Sequence, residues 1–168
     1  GYNIWTLTGR EFLAELIGIH TYSNTPADRV FFRNDRVSYI GMGSGSQEEV
    51  SNITKLVNPV AFTGGTNGTF LAQLDQPTFP ASSLGTPKTA VRFSKTFGEN
   101  ELSQNGNSVV ITEAGLYTDG DPALDFAVGV STGFSESSVI APVAYKTFEP
   151  ITKTNQFELT VIWEVRFI

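Results

Sequence analysis

The chain has no cysteine, so disulfides, thiolate nucleophiles and cysteine-held zinc or iron–sulfur sites are excluded. It has one histidine, His20, which leaves imidazole chemistry a single candidate. Only 11 of its 168 residues are Lys or Arg, against 17 Asp or Glu, for a net charge of −6. The bases stand singly, and nothing in their spacing is built to neutralise a nucleic-acid backbone. No apolar run is long enough for a membrane-spanning helix, and no basic segment followed by an apolar block opens the chain. It begins GYNIW without methionine, which fits initiator removal or processing. What is abundant points the same way: 16 Gly, 8 Pro and 13 Phe suit short strands joined by turns. The expectation is one acidic, mostly β domain that binds neither nucleic acid nor membrane.

The clearest local signal is the last stretch, QFELTVIWEVRFI. Phe157, Leu159, Val161, Trp163, Val165 and Phe167 alternate with Glu158, Thr160, Ile162, Glu164 and Arg166. A period of two with β-branched and aromatic residues predicts a strand with one buried face, and it ties the C-terminal stretch into a sheet. The same pattern predicts strands over 36–42, 89–97, 108–117, 124–130 and 139–148, with Pro142 at an edge, a strand end or a bulge. Gly115 interrupts the 108–117 pattern, as at a bulge or a close backbone approach. Segments 60–62 and 69–74 read as a hairpin across Gly64 to Gly68. Residues 75–88, with Pro77, Pro80 and Pro87, read as a surface loop. Gln47 to Val57 suits either a helical turn or a strand.

The first segment differs. Thr8 and Glu11 fit a capping box, and Phe12, Leu13, Leu16 and Ile17 recur at helical spacing up to Gly18. This predicts an N-terminal arm over 1–20 with a short amphipathic helix, and a single domain over 21–168. Seven or eight strands at this spacing predict an antiparallel β-sandwich or jelly-roll-like fold.

Candidate chemistry is sparse. No nucleophile-elbow motif surrounds a serine, and His20 reads as structural. Gly41 to Ser46 (GMGSGS) lacks the lysine of a phosphate loop and the spacing of a dinucleotide fingerprint, so it reads as a bend. Asp119, Asp121 and Asp125 fit a tight turn better than a calcium loop. Glu48-Glu49 and Glu99-Asn100-Glu101 read as solvated acids. Asn52 and Asn67 head glycosylation sequons that arise by chance. No catalytic residue, metal ligand or cofactor is expected.

Four segments carry a resemblance: Tyr39 to Gly45 (YIGMGSG), Val110 to Tyr117 (VITEAGLY), Ala144 to Thr154 (AYKTFEPITKT) and Leu159 to Phe167 (LTVIWEVRF). Together they resemble small virion proteins of tailed bacteriophages, with an E-A-G-L turn in a strand, a lysine-bearing crossover and an aromatic closing strand. The resemblance implies a non-enzymatic protein present in many copies on a virion: a capsid decoration, or cement, protein. A tail or head–tail component is the alternative within the same class. Its partners would be further copies of itself, in a symmetric oligomer, and other virion proteins such as the major capsid protein. Trp5, Phe12, Leu16, Phe31 and Phe32 are the expected interface residues. A second class, a carbohydrate- or receptor-binding β-domain, would use Trp5, Tyr22, Tyr117 or Trp163 to stack on sugars, with Trp5 the freer of the tryptophans. A hydrolase built on His20 or a carboxylate pair is a third.

Overall fold

The closing strand forms over Leu159–Arg166, shorter than its alternation predicts, since Phe157, expected on the buried face, lies in a bend and is exposed. Among the described residues the strand is half of a two-stranded antiparallel sheet. In a computed structural model that describes residues 4–10, 13, 37–61, 70–80, 89–103, 108–118 and 141–166, β8 (Leu159–Arg166) pairs with β5 (Ala90–Phe97) over eight residue pairs. Phe93 faces Trp163 and Phe97 faces Leu159, and the inward positions Phe93, Phe97, Trp163 and Val165 are buried. The outward positions carry Arg92 opposite Glu164 and Thr96 opposite Thr160.

The larger sheet is antiparallel as well. Its order is β1 (Ile4–Trp5), β7 (Ala144–Lys153), β6 (Val109–Thr118), β2 (Val37–Gly43) and β3 (Pro59–Val60), with β4 (Leu71–Gln73) also on β2. The described part of the chain is thus mostly β. One hydrophobic cluster joins the two sheets, with Ile40, Met42, Ala72, Ile111, Ala114, Leu116 and Ala144 from the larger and Phe93, Phe97, Trp163 and Val165 from the smaller. Burying one large apolar side chain contributes about 2 kcal/mol, so this shared cluster is the main driving force for the arrangement. The chain crosses between the sheets just after β4: the Leu74 N–H donates to Ser38 of β2, and the next residue, Asp75, donates to Ser94 of β5. Thr78 then exchanges two backbone bonds with Arg92, so the start of the expected proline-rich loop runs as an edge along β5.

Several expectations are corrected. β3 and β4 form no hairpin with each other. Val60 sits opposite Met42 and Leu71 opposite Gly41, so they lie end to end along one edge of β2 and leave each other nothing to pair with. Residues 44–58 are neither helix nor strand but an irregular segment laid over the sheet. β7 begins after Pro142 and runs through Pro150 to Lys153, beyond its expected end. Proline has no N–H for the ladder, and the β6–β7 register shifts between Ile111 and Glu113 opposite Ile151 and Thr147, which carries Pro150 through. The E-A-G-L segment does not turn; it continues as strand.

At the N-terminus Ile4 and Trp5 add a short strand to β7, and residues 7–10 are helical. The cap is Thr6, not Thr8: the Thr6 hydroxyl accepts from the Gly9 N–H at 3.0 Å, and Thr8 lies inside the turn. Thr6 wins because its hydroxyl also donates to the Pro142 carbonyl at 2.5 Å, an anchor available only at this position. Of the expected amphipathic stripe Leu13 is helical, while Phe12, Leu16 and Ile17 lie outside the described residues.

Candidate functional site

The larger sheet has a second buried face, and there the polar chemistry of the described chain concentrates. The phase of β6 explains how. Val109 and Ile111 point to the shared core, and so do Ala114 and Leu116, so the alternation slips by one residue between them. Thr112 and Glu113 therefore both turn to the opposite face and meet the same residue. The Thr112 hydroxyl donates to the Gly45 carbonyl at 2.5 Å, while the Gly45 N–H donates to Glu113 at 3.2 Å.

Glu113 is fully buried and both of its oxygens accept. Oε1 takes the N–H groups of Gly45 (3.2 Å) and Asn58 (2.9 Å); Oε2 takes the N–H of Val57 (3.2 Å) and the Tyr145 hydroxyl (2.7 Å). A buried carboxyl group is tolerated only when its lone pairs are filled. Here that requirement fixes both ends of the 44–58 segment. Gly43 and Gly45 make room for it, since a Cβ on either would collide with the Glu113 side chain.

A second carboxylate works in the reverse direction. Glu49, in the middle of the segment, reaches β7 and accepts from Lys146 Nζ (2.8 Å), the Thr147 N–H (2.9 Å) and the Thr147 hydroxyl (2.7 Å). Partial burial works to raise its pKa, but the bonds from Lys146 and Thr147 outweigh this and hold it below the usual carboxylate value. Between the two clasps Ile53 and Leu56 pack on Tyr145. The segment is also tied to the N-terminus, where the Leu7 N–H donates to the Ser51 carbonyl.

Beside Glu113 lies Tyr117, whose ring covers a glycine pair. Gly41 and Gly115 face each other across β2 and β6, and a Cβ on them would stand 3.0 and 3.1 Å from the Tyr117 ring. Phe70 meets the same ring edge-on. Burial first, then the neighbouring Glu113 and Tyr145, pushes the Tyr117 phenol well above its ordinary range. Its hydroxyl has no partner among the described residues. Tyr145 is raised too, by burial and by its bond to Glu113.

Lys153 is the buried cation. Its ammonium donates to the carbonyls of Glu99 (3.1 Å) and Thr154 (2.6 Å) and lies 5.4 Å from the Phe157 ring centre. Burial lowers its pKa while Glu99, Glu101 and Glu158 oppose the shift. On the outer side of the small sheet Glu164 accepts from Arg92 and Arg166, which hold it below the usual carboxylate value.

Of the expected interface residues, Trp5 is half-buried in β1 and packs against the shared core. It is therefore less free for sugar stacking than expected. Trp163 is core, as its strand face implies, and Tyr117 is buried. Phe12, Leu16, Phe31 and Phe32 lie outside the described residues, as do His20, Tyr22, Asp119, Asp121 and Asp125. Glu49 is not the solvated acid its sequence suggests. Among the described residues no three His, Asp or Glu gather as a metal site, and no helix is long and apolar enough to cross a membrane. Glu113 and Lys153 were missed because each has a polar neighbour that makes its position read as an ordinary wet one, Thr112 before Glu113 and Thr152 and Thr154 around Lys153. The phase slip from Val109 and Ile111 to Ala114 and Leu116 was the signal that could have marked Glu113.

No family model, curated protein or solved structure matches the chain.

Proposed function

We propose that the chain is a non-enzymatic structural protein of a tailed-phage virion, a capsid decoration or cement protein that binds and stabilises neighbouring subunits. Its two sheets form a sandwich of the jelly-roll kind on this reading. The observation that carries the proposal is how the buried and half-buried ionisable groups are used. Glu113 and Glu49 fasten the 44–58 segment, and Lys153 holds the end of β7 against the Glu99 carbonyl. Each is satisfied by the chain's own donors and acceptors. A reactive carboxylate or amine needs an open side for substrate, whereas a scaffold gains rigidity from saturated polar groups. The segments that resemble virion proteins coincide with β2, β6, β7 and β8, the strands that make this framework. The packing of Trp5, Tyr117 and Trp163 speaks for a scaffold over a sugar-stacking surface.

The test is reconstitution. Particles assembled without the chain should bind it to saturation and then release their genome at a higher temperature. Particles that do not bind it, or that bind it without gaining stability, contradict a cement role.

A further inference from the structure

We infer that the N-terminal turn bolts the 44–58 segment in place, so that residues 4–10 and 44–58 open and close as one unit on the edge of β7 that faces away from β6. The two segments divide that edge between them. β1 pairs Trp5 with Ala144 and Ile4 with Tyr145, and the same register carries the Thr6 N–H to the Val143 carbonyl at 3.2 Å. Residues two apart in a strand send their backbone groups to the same edge. At Thr147, the next such position, the N–H is taken by Glu49 of the segment at 2.9 Å and not by β1. A carboxylate oxygen there does what a strand carbonyl would do.

Two contacts join the segments to each other. One is direct: the Leu7 N–H donates to the Ser51 carbonyl at 2.6 Å. The other is Tyr145, whose backbone is paired with Ile4 while its side chain packs on Ile53 and Leu56 and donates to Glu113. The turn is itself closely seated. The Thr6 hydroxyl holds the Pro142 carbonyl and the Gly9 N–H, and a Cβ on Gly9 would strike the Val143 carbonyl and the Trp5 ring. The 44–58 segment has no ladder of its own. Its ends meet where the Ser44 N–H donates to the Asn58 carbonyl at 2.9 Å, the form of an Ω-loop. A loop of this kind belongs to the low end of local stability and opens without its sheet. Lifting it breaks the Leu7–Ser51 bond, and withdrawing the turn breaks the same bond, so each opens more easily once the other has gone. One backbone bond sets this coupling at about fivefold, equal in both directions. With both segments away, Tyr145 and the edge of β7 from Val143 to Thr147 are uncovered, so a seated turn keeps that edge closed.

The coupling is a property of the isolated chain and does not depend on a virion role. Hydrogen exchange of the full chain, read amide by amide by NMR, tests it. Gly9→Ala unseats the turn by acting against Val143 and Trp5. It should speed exchange about fivefold at the Thr147 and Val57 amides, which donate to Glu49 and Glu113 in the other segment's hold. Glu49→Ala removes the clasp, and the Thr6 amide on Val143 should then speed up by the same factor. The β5–β8 amides should hold in both variants. Thr6→Val deletes only the two bonds of the hydroxyl, so it unseats the turn more mildly where Gly9→Ala fails to fold, and it should move the same amides. Faster exchange confined to the segment that carries the substitution overturns the coupling. A Thr147 amide that speeds up while Val57 holds overturns it as well, since the effect then runs through β7 alone. Equal acceleration of the β5–β8 amides does the same, because the opening is then global.

Discussion

Replacing Glu113 with alanine removes the acceptor for three backbone N–H groups and one tyrosine hydroxyl at once. Each buried donor left unsatisfied costs about 1–3 kcal/mol, but the 44–58 segment can lift and hydrate some of them. The net loss should be about 4 kcal/mol, which for a chain of this length lowers the melting temperature by roughly 10 °C. Glu113→Gln should cost about half as much. Its oxygen can still serve Gly45 and Asn58, and the Tyr145 hydroxyl can rotate to accept. The new NH2 group then points at the Val57 N–H, and those two donors have no remedy. Tyr145→Phe, which removes one bond of the four, should cost about 1 kcal/mol. Thermal unfolding gives the order alanine, glutamine, phenylalanine from worst to mildest. Hydrogen exchange adds the location: the amides of Gly45, Val57 and Asn58 should lose protection before those of the β5–β8 pair. An alanine variant melting within about 2 °C of the parent would refute the role given to this carboxyl group.

Glu49, held below its ordinary pKa in the fold, contributes stability that is present above its unfolded value of 4.5 and lost as the pH falls through the lower folded value. Acid titration of stability should therefore fall more steeply below pH 4.5 for the parent than for Glu49→Gln, and matching curves would show that the clasp carries nothing. Gly115→Ala should cost about 1–3 kcal/mol, because the new methyl meets Pro142 and the Tyr117 ring with no cavity to receive it; near-UV circular dichroism should report the displaced tyrosine. Arg92→Ala, at an exposed ion pair, should change stability by less than about 1 kcal/mol, a control that separates the buried clasps from surface charge.

The strands were legible where one face is buried and the other wet. β8 shows this best: its inward residues are all apolar and its outward ones, Ile162 apart, are polar, so period and burial coincide. Legibility failed where a strand is covered on both faces or where a distant partner decides. The Gly41/Gly115 pair looks like an interruption in sequence, yet it is the floor on which Tyr117 lies, and that ring's position depends on the β2–β6 register. Glu49 looks solvated beside Glu48, because Lys146 and Thr147 are nearly a hundred residues away. Thr6 outcompetes Thr8 as a cap through the carbonyl of Pro142, which no local rule can see. The apparent hairpin over 60–74 failed for a related reason: both strands prefer the long edge of β2 to each other.

The most direct test of the proposed structural role is to count the chain, by quantitative mass spectrometry against the major capsid protein, in purified particles of a tailed phage whose genome carries its coding sequence. A cement protein should be present in many copies, at a fixed ratio to that protein set by the particle's symmetry. Its absence from purified particles, or a trace amount that varies from one preparation to the next, would contradict the account.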